Sequence, residues 1–584
     1  MVADYVVMYI EAVPNRSSPP AILLRESYRE DGKVKKRTLA NLTHWPSDKV
    51  EGLRRVLRDE TLVCAEDAFE CVRSLPHGHV VAVLGALKKI GLDRLISSKR
   101  SSERDRVLAL IVQRILAPGS KLSTARALAP ETATSTLGEV LGISGCSEDE
   151  LYAAMDWLAK KQQAIESKLA ARHLSGGSLI LYDITSTWFE GRKCPLARIG
   201  HSRDGKKGTL QIVIGILATQ EGIPVAVEVF EGNTGDPSTV SAQVEKVRER
   251  FGLDRVVLVG DRGMLTDARI REDLRPREGI SWISSLRAPA IRKLVQQGTI
   301  DRSLFDETDL AEIRSPDFPG ERLVVCCNPL LADERARKRD ELLAATEREL
   351  EKIAEATRRA RRPLRGEAQI GLRVGKVIDR FKVAKHFYIE ISETSFAYER
   401  NEEHIEQERA LDGIYVVRSD VPEQELSAED LVEAYKGLSR LERVFRCMKT
   451  VDLKVRPIFH HNEQRVRTHV FLCMLAYYVE WHMRRDLAPL LFDDHCREEA
   501  RAARRSIVAK AERSQPALRK ARRKLTDEGE PVSSFQDLLG QLATIARNRV
   551  RATGQKDTSE FEMTSTPTAL QGRAFELLGV SPRL

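Results

Sequence analysis

Between residues 178 and 261 four short apolar runs follow one another, and two of them stop at an aspartate. Ser178–Tyr182 (SLILY) runs into Asp183, and Arg255–Gly260 (RVVLVG) runs into Asp261. Between them lie Leu210–Thr219 (LQIVIGILAT) and Val225–Phe230 (VAVEVF), parted by a Glu221-Gly222 turn. Short runs rich in Val, Ile and Leu and bounded by turn residues predict buried strands. A helix is expected over Ser238–Phe251, opened by the Asp236-Pro237-Ser238 cap signal. The order strand, strand, strand, helix, strand predicts an α/β core: a hairpin-linked antiparallel trio, then a crossover.

The 584 residues around this core leave room for roughly three to four domains at about 150 residues each. Hydrophobic residues make up 42% and charged residues 31%, a globular balance rather than a disordered one. The longest largely apolar runs, Leu210–Ala218 and Val470–Val479, are near ten residues, about half a membrane span. The opening MVADYVVMYIEAVPNRSSPP lacks the basic, apolar and small-residue order of a signal peptide. The expectation is therefore a cytoplasmic chain with no membrane partner. Nine scattered cysteines without a Cys-x-x-Cys pair point to a reducing compartment, with no disulfide framework and no zinc finger.

Six segments are expected. Residues 1–50 alternate as strands (Tyr5–Ile10, Ala21–Leu24, and Lys33–Leu39 after an Asp31-Gly32 turn), giving a small β-rich domain. Residues 51–175 turn helical, with apolar spacing at Leu84, Leu87, Leu92 and Leu95 and at Val107, Leu108, Ile111 and Ile115. This region is assigned to DNA binding, and its spacing suits a helix-turn-helix reader or an ordinary bundle equally. Residues 176–262 hold the first part of the α/β core. Residues 263–410 interrupt it with a long charged helix over Asp333–Arg361 and strands at His386–Ile391 and Ser395–Glu399. The core resumes over 411–490 with strand Ile414–Val417 and helices over Ala428–Thr450 and His469–Arg484. Residues 491–584 form a basic, helical end. Lys and Arg exceed Asp and Glu by 94 to 86, a mild net charge of +8. The excess gathers in Arg358–Arg365 and Arg497–Lys524, each readable as a polyanion contact or as a solvated helix face.

Two aspartates at strand ends of one sheet can converge, and like charges so placed repel unless something neutralises them. A pair of Mg²⁺ ions, about 3.5–4 Å apart and held by hard oxygen ligands, is the common solution. The third acidic element lies on a helix. Tyr435, Leu438, Glu442, Arg446 and Lys449 fall on one helical stripe. The spacing alone fits a surface Glu442–Arg446 salt bridge. A tyrosine, a carboxylate and two cations on one face also fit metal binding flanked by phosphate contacts.

These residues carry a resemblance. The chain resembles the DDE transposases of bacterial insertion sequences, in the subgroup with a Tyr-Arg-Glu-Lys signature on the last catalytic helix. Tyr435, Glu442 and Lys449 stand at the signature spacings, and Leu438 occupies the Arg position. Further likeness lies in Tyr182-Asp183-Ile184-Thr185-Ser186, Gly200–Lys207, Glu231–Asp236, Gly260-Asp261-Arg262-Gly263 and Arg456-Pro457-Ile458, so that it covers about 178–485. The resemblance implies a mixed-sheet, ribonuclease-H-like core with a β-rich insertion and helical flanking domains. It implies Asp183, Asp261 and Glu442 as catalytic metal ligands for two Mg²⁺ ions, with Mn²⁺ able to substitute. Its implied reaction is cleavage of the element's ends and their joining to target DNA. The implied partners are terminal inverted repeats, target DNA and a second subunit in the DNA complex, on the bacterial nucleoid. Two alternatives compete: a related nuclease that cuts without joining, and a DNA-binding regulator without catalysis.

Tyr435, Arg446 and Lys449 are assigned to DNA, with Arg440 or Arg446 standing in for the missing signature arginine. Arg203, Lys206 and Lys207, in a Gly-bounded loop near Asp183, are assigned to phosphate. Asp204 is read as a turn residue, and Asn233 and Asp236 as shaping the loop before the crossover helix. Trp188 and Trp282 are read as core residues in preference to base-stacking ones. His201, His460 and His461 show no ligand spacing.

Overall fold

The computed structural model describes residues 7–582, except 17, 31, 61–67, 306–307, 505, 510 and 554–559. Tyr5, Val6 and Asp31 of the expected N-terminal sheet, and Arg505 and Lys510 of the basic segment, lie outside the described residues. The chain divides into two units, one drawn from the segment ending at Pro76 together with Ile545–Thr566, the other from His77–Thr544 with Pro567–Leu584.

The first unit holds the expected small sheet, and it is an antiparallel meander of Val7–Val13, Ala21–Glu30 and Lys33–Asn41. Its basic third strand is ion-paired across the sheet, Arg37 to Glu26 at 2.8 Å and Lys35 to Glu30 at 2.6 Å. A second three-stranded sheet corrects the expected boundaries. Phe69–Pro76, from the region read as helical, pairs with Ala546–Ala552, which pairs with Glu560–Thr564. The C-terminal region is thus not wholly helical. Helix Phe535–Ala543 ends before a strand whose pattern, ARNRVRA, prolongs the helical period of FQDLLGQLA. Pairing with a strand from the far end of the chain overrides that local signal.

In the second unit the central sheet has nine strands. We number eight of them: β1 (Ser178–Trp188), β2 (Leu210–Thr219), β3 (Pro224–Glu231), β4 (Val256–Val259), β5 (Ile280–Ser285), β6 (Leu310–Ile313), β7 (Arg322–Cys327) and β8 (Ile414–Ser419). The two-residue strand Arg198–Ile199 pairs with the start of β2. The spatial order is β6-β7-β8-β5-β4-β1-β2, with β3 also on β2. The pairs β1–β4 and β4–β5 are parallel and the rest antiparallel. The crossover segment between β3 and β4 is helical throughout, as a 3-10 turn, an α-helix and a π turn over residues 236–250.

Two expectations change here. First, β5, β6 and β7 belong to the same sheet, so residues 263–410 are not a single interruption. The excursion proper begins at helix Pro329–Arg358, whose N-terminus is capped by Asn328 (Leu331 N to Oδ1, 3.2 Å). With helix Glu367–Phe381 and the hairpin Phe387–Ile391/Phe396–Arg400 it closes its own core around Leu350, Ile353, Ile370, Phe387 and Phe396. The long helix is therefore packed along one face and not merely a solvated arm. Second, β1 does not stop at Asp183 but continues to Trp188, paired throughout with β2. The polar string Thr185-Ser186-Thr187 disguises it, yet all three are buried.

Behind the sheet lies helix Glu463–Asp486, apolar nearly all round and correspondingly buried. It packs with helices Ser102–Leu116 and Glu148–Ala159 of the 77–173 layer. No helix among the described residues is long and apolar enough to cross a membrane, and no disulfide joins the eight described cysteines.

Candidate active site

Asp183 lies in mid-strand, at the level where its parallel neighbour leaves the sheet. The β1–β4 register pairs Ile180 with Leu258 and Leu181 with Val259. Counting two residues further on each segment sets Asp183 beside Asp261. Residues level with each other on parallel neighbours point to the same face. Just past β4, Asp261 Oδ1 accepts from the amides of Gly263 and Met264, both at 2.9 Å. This local turn holds one carboxylate oxygen and leaves Oδ2 without a backbone donor. Gly263 keeps the turn clear: a Cβ there would stand 3.2 Å from Asp261 Oδ1 and 3.7 Å from Asp236 Oδ2.

The third carboxylate arrives on a jointed helix. Ala428–Lys436, capped by Ser427 (Asp430 N to Oγ, 3.1 Å), passes through Gly437 into Leu438–Arg446 and then a π turn at Cys447–Val451. Gly437 allows the joint to lie on β1, because a Cβ there would stand 2.8 Å from the Ala434 carbonyl and 3.5 Å from Leu181 Cδ2. Leu441, Val444 and Phe445 are buried, which turns Glu442 and Arg446 outward. The expected continuous helix over 428–450 is thus two helices and a turn.

The negative charges of Asp261 and Glu442 both reach the Asp183 carboxyl. Burial, with the negative charges of Asp261 and Glu442 adding to it, raises the Asp183 carboxyl to about 7, against the Ile184 amide and Arg203. Tyr435 shares the same field. Burial raises its phenol, the charges of Asp261 and Asp183 add to the rise, and its hydroxyl lies 2.7 Å from Ser285 Oγ. Among the described residues none of Asp183, Asp261 and Glu442 is ion-paired, and the Glu442–Arg446 bridge that spacing allowed does not form.

The cations assigned to DNA divide into two groups. Arg446, Lys206 and Lys207 are exposed. Lys449 instead donates to Asp204 Oδ1 (2.8 Å) and the Ser186 carbonyl (2.7 Å), and Arg456 donates to Asp204 Oδ2 (3.0 Å). Asp204 lies in a turn, as expected, and is an anchor as well. It ties the 203–207 loop to the segment after the helix that carries Glu442. Arg203 ties the same loop to β1, its amide donating to Ser186 Oγ (2.8 Å), while its guanidinium pairs with Asp236. Asp236 thus braces the site's rim as well as shaping its loop. Trp188 is not a core residue either: Lys206 and Arg456 stand 3.7 and 3.3 Å from its ring centroid, and its Nε1 donates to Glu190 (2.6 Å). Trp282 is fully buried, as read from the sequence. Arg440, the other stand-in for the signature arginine, bonds the Gln220 carbonyl in the β2–β3 turn. The roles of Asp204, Asp236 and Arg456 were missed. The motif Arg456-Pro457-Ile458 was visible, but nothing local linked it to a loop 250 residues earlier.

The donor set suits a hard divalent cation. Three carboxylates supply only oxygen, and their repulsion is what a cation relieves. Their donor atoms do not close into one tight cage. Among the described residues the one trio with all donor atoms within 4.8 Å is Cys447, Asp452 and Glu480. That trio already holds a cation, Arg484, which reaches Glu480 at 2.6 Å and Asp452 at 3.0 Å.

Comparisons with known proteins bear on this arrangement. A transposase DDE domain family matches residues 177–479, more than half of the chain. The N-terminal domain of the IS1634 family of transposases matches residues 10–68. No curated relative matches. A similar solved structure is the cryo-EM structure of piggyBac transposase in a synaptic complex with hairpin DNA, 8% identical over 69% of this chain and 72% of that one. Its TM-score of 0.31 is too low for the likeness to fix the fold. DDE transposases depend on divalent metal and recombine DNA. With an IS1634-type N-terminal domain ahead of the DDE domain, the chain belongs to the DDE transposases of insertion sequences.

Proposed function

We propose that Asp183, Asp261 and Glu442 are the catalytic carboxylates and hold two Mg²⁺ ions, cleaving the ends of an insertion sequence and joining them to target DNA. One observation supports the reading: the charges of Asp261 and Glu442, from separate stretches of chain, both act on the buried Asp183 carboxyl, and among the described residues none of the three acids forms an ion pair. The strand order β3-β2-β1-β4-β5, antiparallel then parallel, supports a ribonuclease-H-like core. Tyr435, Glu442 and Lys449 at the signature spacings support the Tyr-Arg-Glu-Lys subgroup, with Leu438 as its departure.

When bound, the ions would activate water or a 3′-hydroxyl and stabilise the leaving 3′-oxygen of an in-line displacement. The chain's own residues set the geometry. β1 and the turn after β4 fix Asp183 and Asp261 on one face, and the Gly437 joint brings Glu442 to them. Asp183 must lose its proton before it can act as a ligand, which its raised pKa makes pH-dependent. Lys206, Lys207 and Arg446 are exposed for phosphate, and Lys449 and Arg203 hold the loop that presents the two lysines. Tyr435 positions its helix against β5 through Ser285. Two subunits bridge two element ends on the nucleoid. Incubation of purified protein with Mg²⁺ and labelled element ends tests the reading. Cut and joined products are expected, and both disappear in Asp183→Asn, Asp261→Asn and Glu442→Gln. Cut ends without joined product would leave a nuclease.

A further inference from the structure

A cavity of about 580 Å³ lies between the loop after the catalytic helix and the 77–173 helices. Arg114, Lys121, Lys454, Arg456 and Arg465 line it, and no carboxylate does. The acids nearby are already engaged: Asp156 holds Arg465 at 2.9 Å and Asp204 holds Arg456. Among the described residues Arg114, Lys121 and Lys454 form no ion pair. Arg114 donates only to backbone carbonyls, Gly119 at 3.0 Å and Lys454 at 3.4 Å.

Lys121 is the telling residue. It is 3% exposed, and its ammonium lies 3.2 Å from His469 Nδ1. His469 Nε2 lies 2.9 Å from the Val455 carbonyl, so Nε2 carries the ring proton and Nδ1 accepts from Lys121. A buried ammonium beside an arginine, without a counter-ion, is costly. Burial and Arg114 accordingly pull Lys121 down to about 7. An anion entering the cavity would relieve both cations. Ser120 and Lys121 also begin the helix Lys121–Leu128, which turns a positive helix end toward the same space.

The rim has a different chemistry. Phe459 is 62% exposed there, and Tyr152 also lines the cavity, with Arg465 against its ring. A cationic floor under an exposed aromatic rim, in a volume usual for small-molecule sites, matches a phosphate joined to a base. Arg456 forms both a wall of this cavity and a bond to Asp204, so the cavity adjoins the candidate active site.

We propose that this cavity binds one nucleotide, with the phosphate against Arg114, Lys121 and Lys454 and the base against Phe459. The nucleotide is either free or part of a strand leaving the active site, and only the second source rests on the DNA reading above.

The test is a titration without divalent metal at fixed ionic strength, so that nothing is cleaved. The probes are dAMP, inorganic phosphate, and labelled duplexes with a blunt or a five-nucleotide single-stranded end. Wild type is compared with Lys454→Gln and Phe459→Ala, both at exposed positions, after thermal melting has shown that the variants fold. Each substitution should weaken dAMP or overhang binding about fivefold and leave the blunt duplex within twofold. Binding of dAMP tighter than phosphate identifies a free nucleotide, and variant-sensitive binding of the overhang alone identifies a strand. No ligand shifting more than twofold in either variant, or dAMP bound no tighter than phosphate with a silent overhang, overturns the proposal. Asp183→Asn should bind all probes as wild type does. If that variant still cleaved in Mg²⁺, the catalytic assignment would fall and the cavity result would stand.

Discussion

Two acidic clusters sit on one stretch of helix, Glu442 in the first and Cys447 in the second, and they are built oppositely. Cys447, Asp452 and Glu480 are buried around Arg484, with Cys447 Sγ 3.0 Å from Asp452 and 3.3 Å from Glu480. Asp183 stands beside Asp261 in mid-sheet where β4 ends, the charge of Glu442 reaches Asp183, and among the described residues none of the three forms an ion pair. Glu480 and Asp183 are both raised to about 7, chiefly by burial. At Glu480 the strongest charge effect is Arg484, which works against the rise, while Asp452 adds to it. At Asp183 two further carboxylates add to the rise, and the opposing Arg203 forms its ion pair with Asp236 instead. An acid cluster compensated from within holds a fold together. One left uncompensated where a strand ends is destabilising by itself and keeps its charge for a ligand.

The largest expected effect breaks this comparison directly. Asp183→Asn, Asp261→Asn or Glu442→Gln should each cost on the order of 10⁴-fold in Mg²⁺-dependent cleavage, as loss of a transition-state group does. Binding of labelled DNA ends should persist, and the metal-free melting temperature should hold or rise. Cleavage retained by any one variant removes that residue from the site.

Arg484→Met is the mirror experiment. It leaves Glu480 and Asp452 buried beside Cys447 without their cation, which should destabilise the protein by about 3–5 kcal/mol in urea unfolding. A change under about 1 kcal/mol would mean that the cluster is not an ionic one.

Proton linkage distinguishes the clusters without destroying either. Both carboxyls have folded pKa values above their unfolded ones, so between about 4 and 7 the native state holds protons that the unfolded chain releases. Their joint contribution to metal-free stability therefore rises as pH falls from 8 toward 5. Protons compete with Mg²⁺ for Asp183 alone, so Mg²⁺ should raise the melting temperature more at pH 8 than at pH 6. Asp183→Asn should lose that increment. Glu480→Gln should keep it while flattening the metal-free pH curve. Equal Mg²⁺ increments at both pH values would detach Asp183 from metal binding.

The smallest effect concerns the cations beside the site. Lys207 is exposed, and Lys207→Ala should lower the salt slope of DNA binding by about 0.9. Lys449 is held by Asp204, so Lys449→Ala should change the slope by less than half as much. Equal slope changes would show that Asp204 releases Lys449 to DNA.

Much of the core was legible because burial on both faces leaves a local trace. The runs at 210–219 and 225–230 read as strands to within a residue. Asp183 and Asp261 drew notice for a related reason, since an aspartate that stops an apolar run stands out. What misled was polar sequence inside buried structure. Thr185-Ser186-Thr187 concealed half of β1, and ISWISS concealed β5, because each owes its burial to neighbours distant in the chain. Helix Glu367–Phe381 was not anticipated; its apolar face meets only the long helix and the hairpin that follows. The partner of Phe69–Pro76 was equally hidden, since a strand shows its own pattern but never its register.

The chain by itself determined a mixed α/β core, three acids of matching type and spacing, and a mild basic excess, because side-chain type, period and turn chemistry are local properties. Tertiary structure alone decided that Asp183 stands level with Asp261, that Lys449 is bound to Asp204, that Glu480 is neutralised by Arg484, and that three unpaired cations share one cavity. Those facts depend on which strands pair and which loops meet, and the energies that select them act between residues hundreds of positions apart.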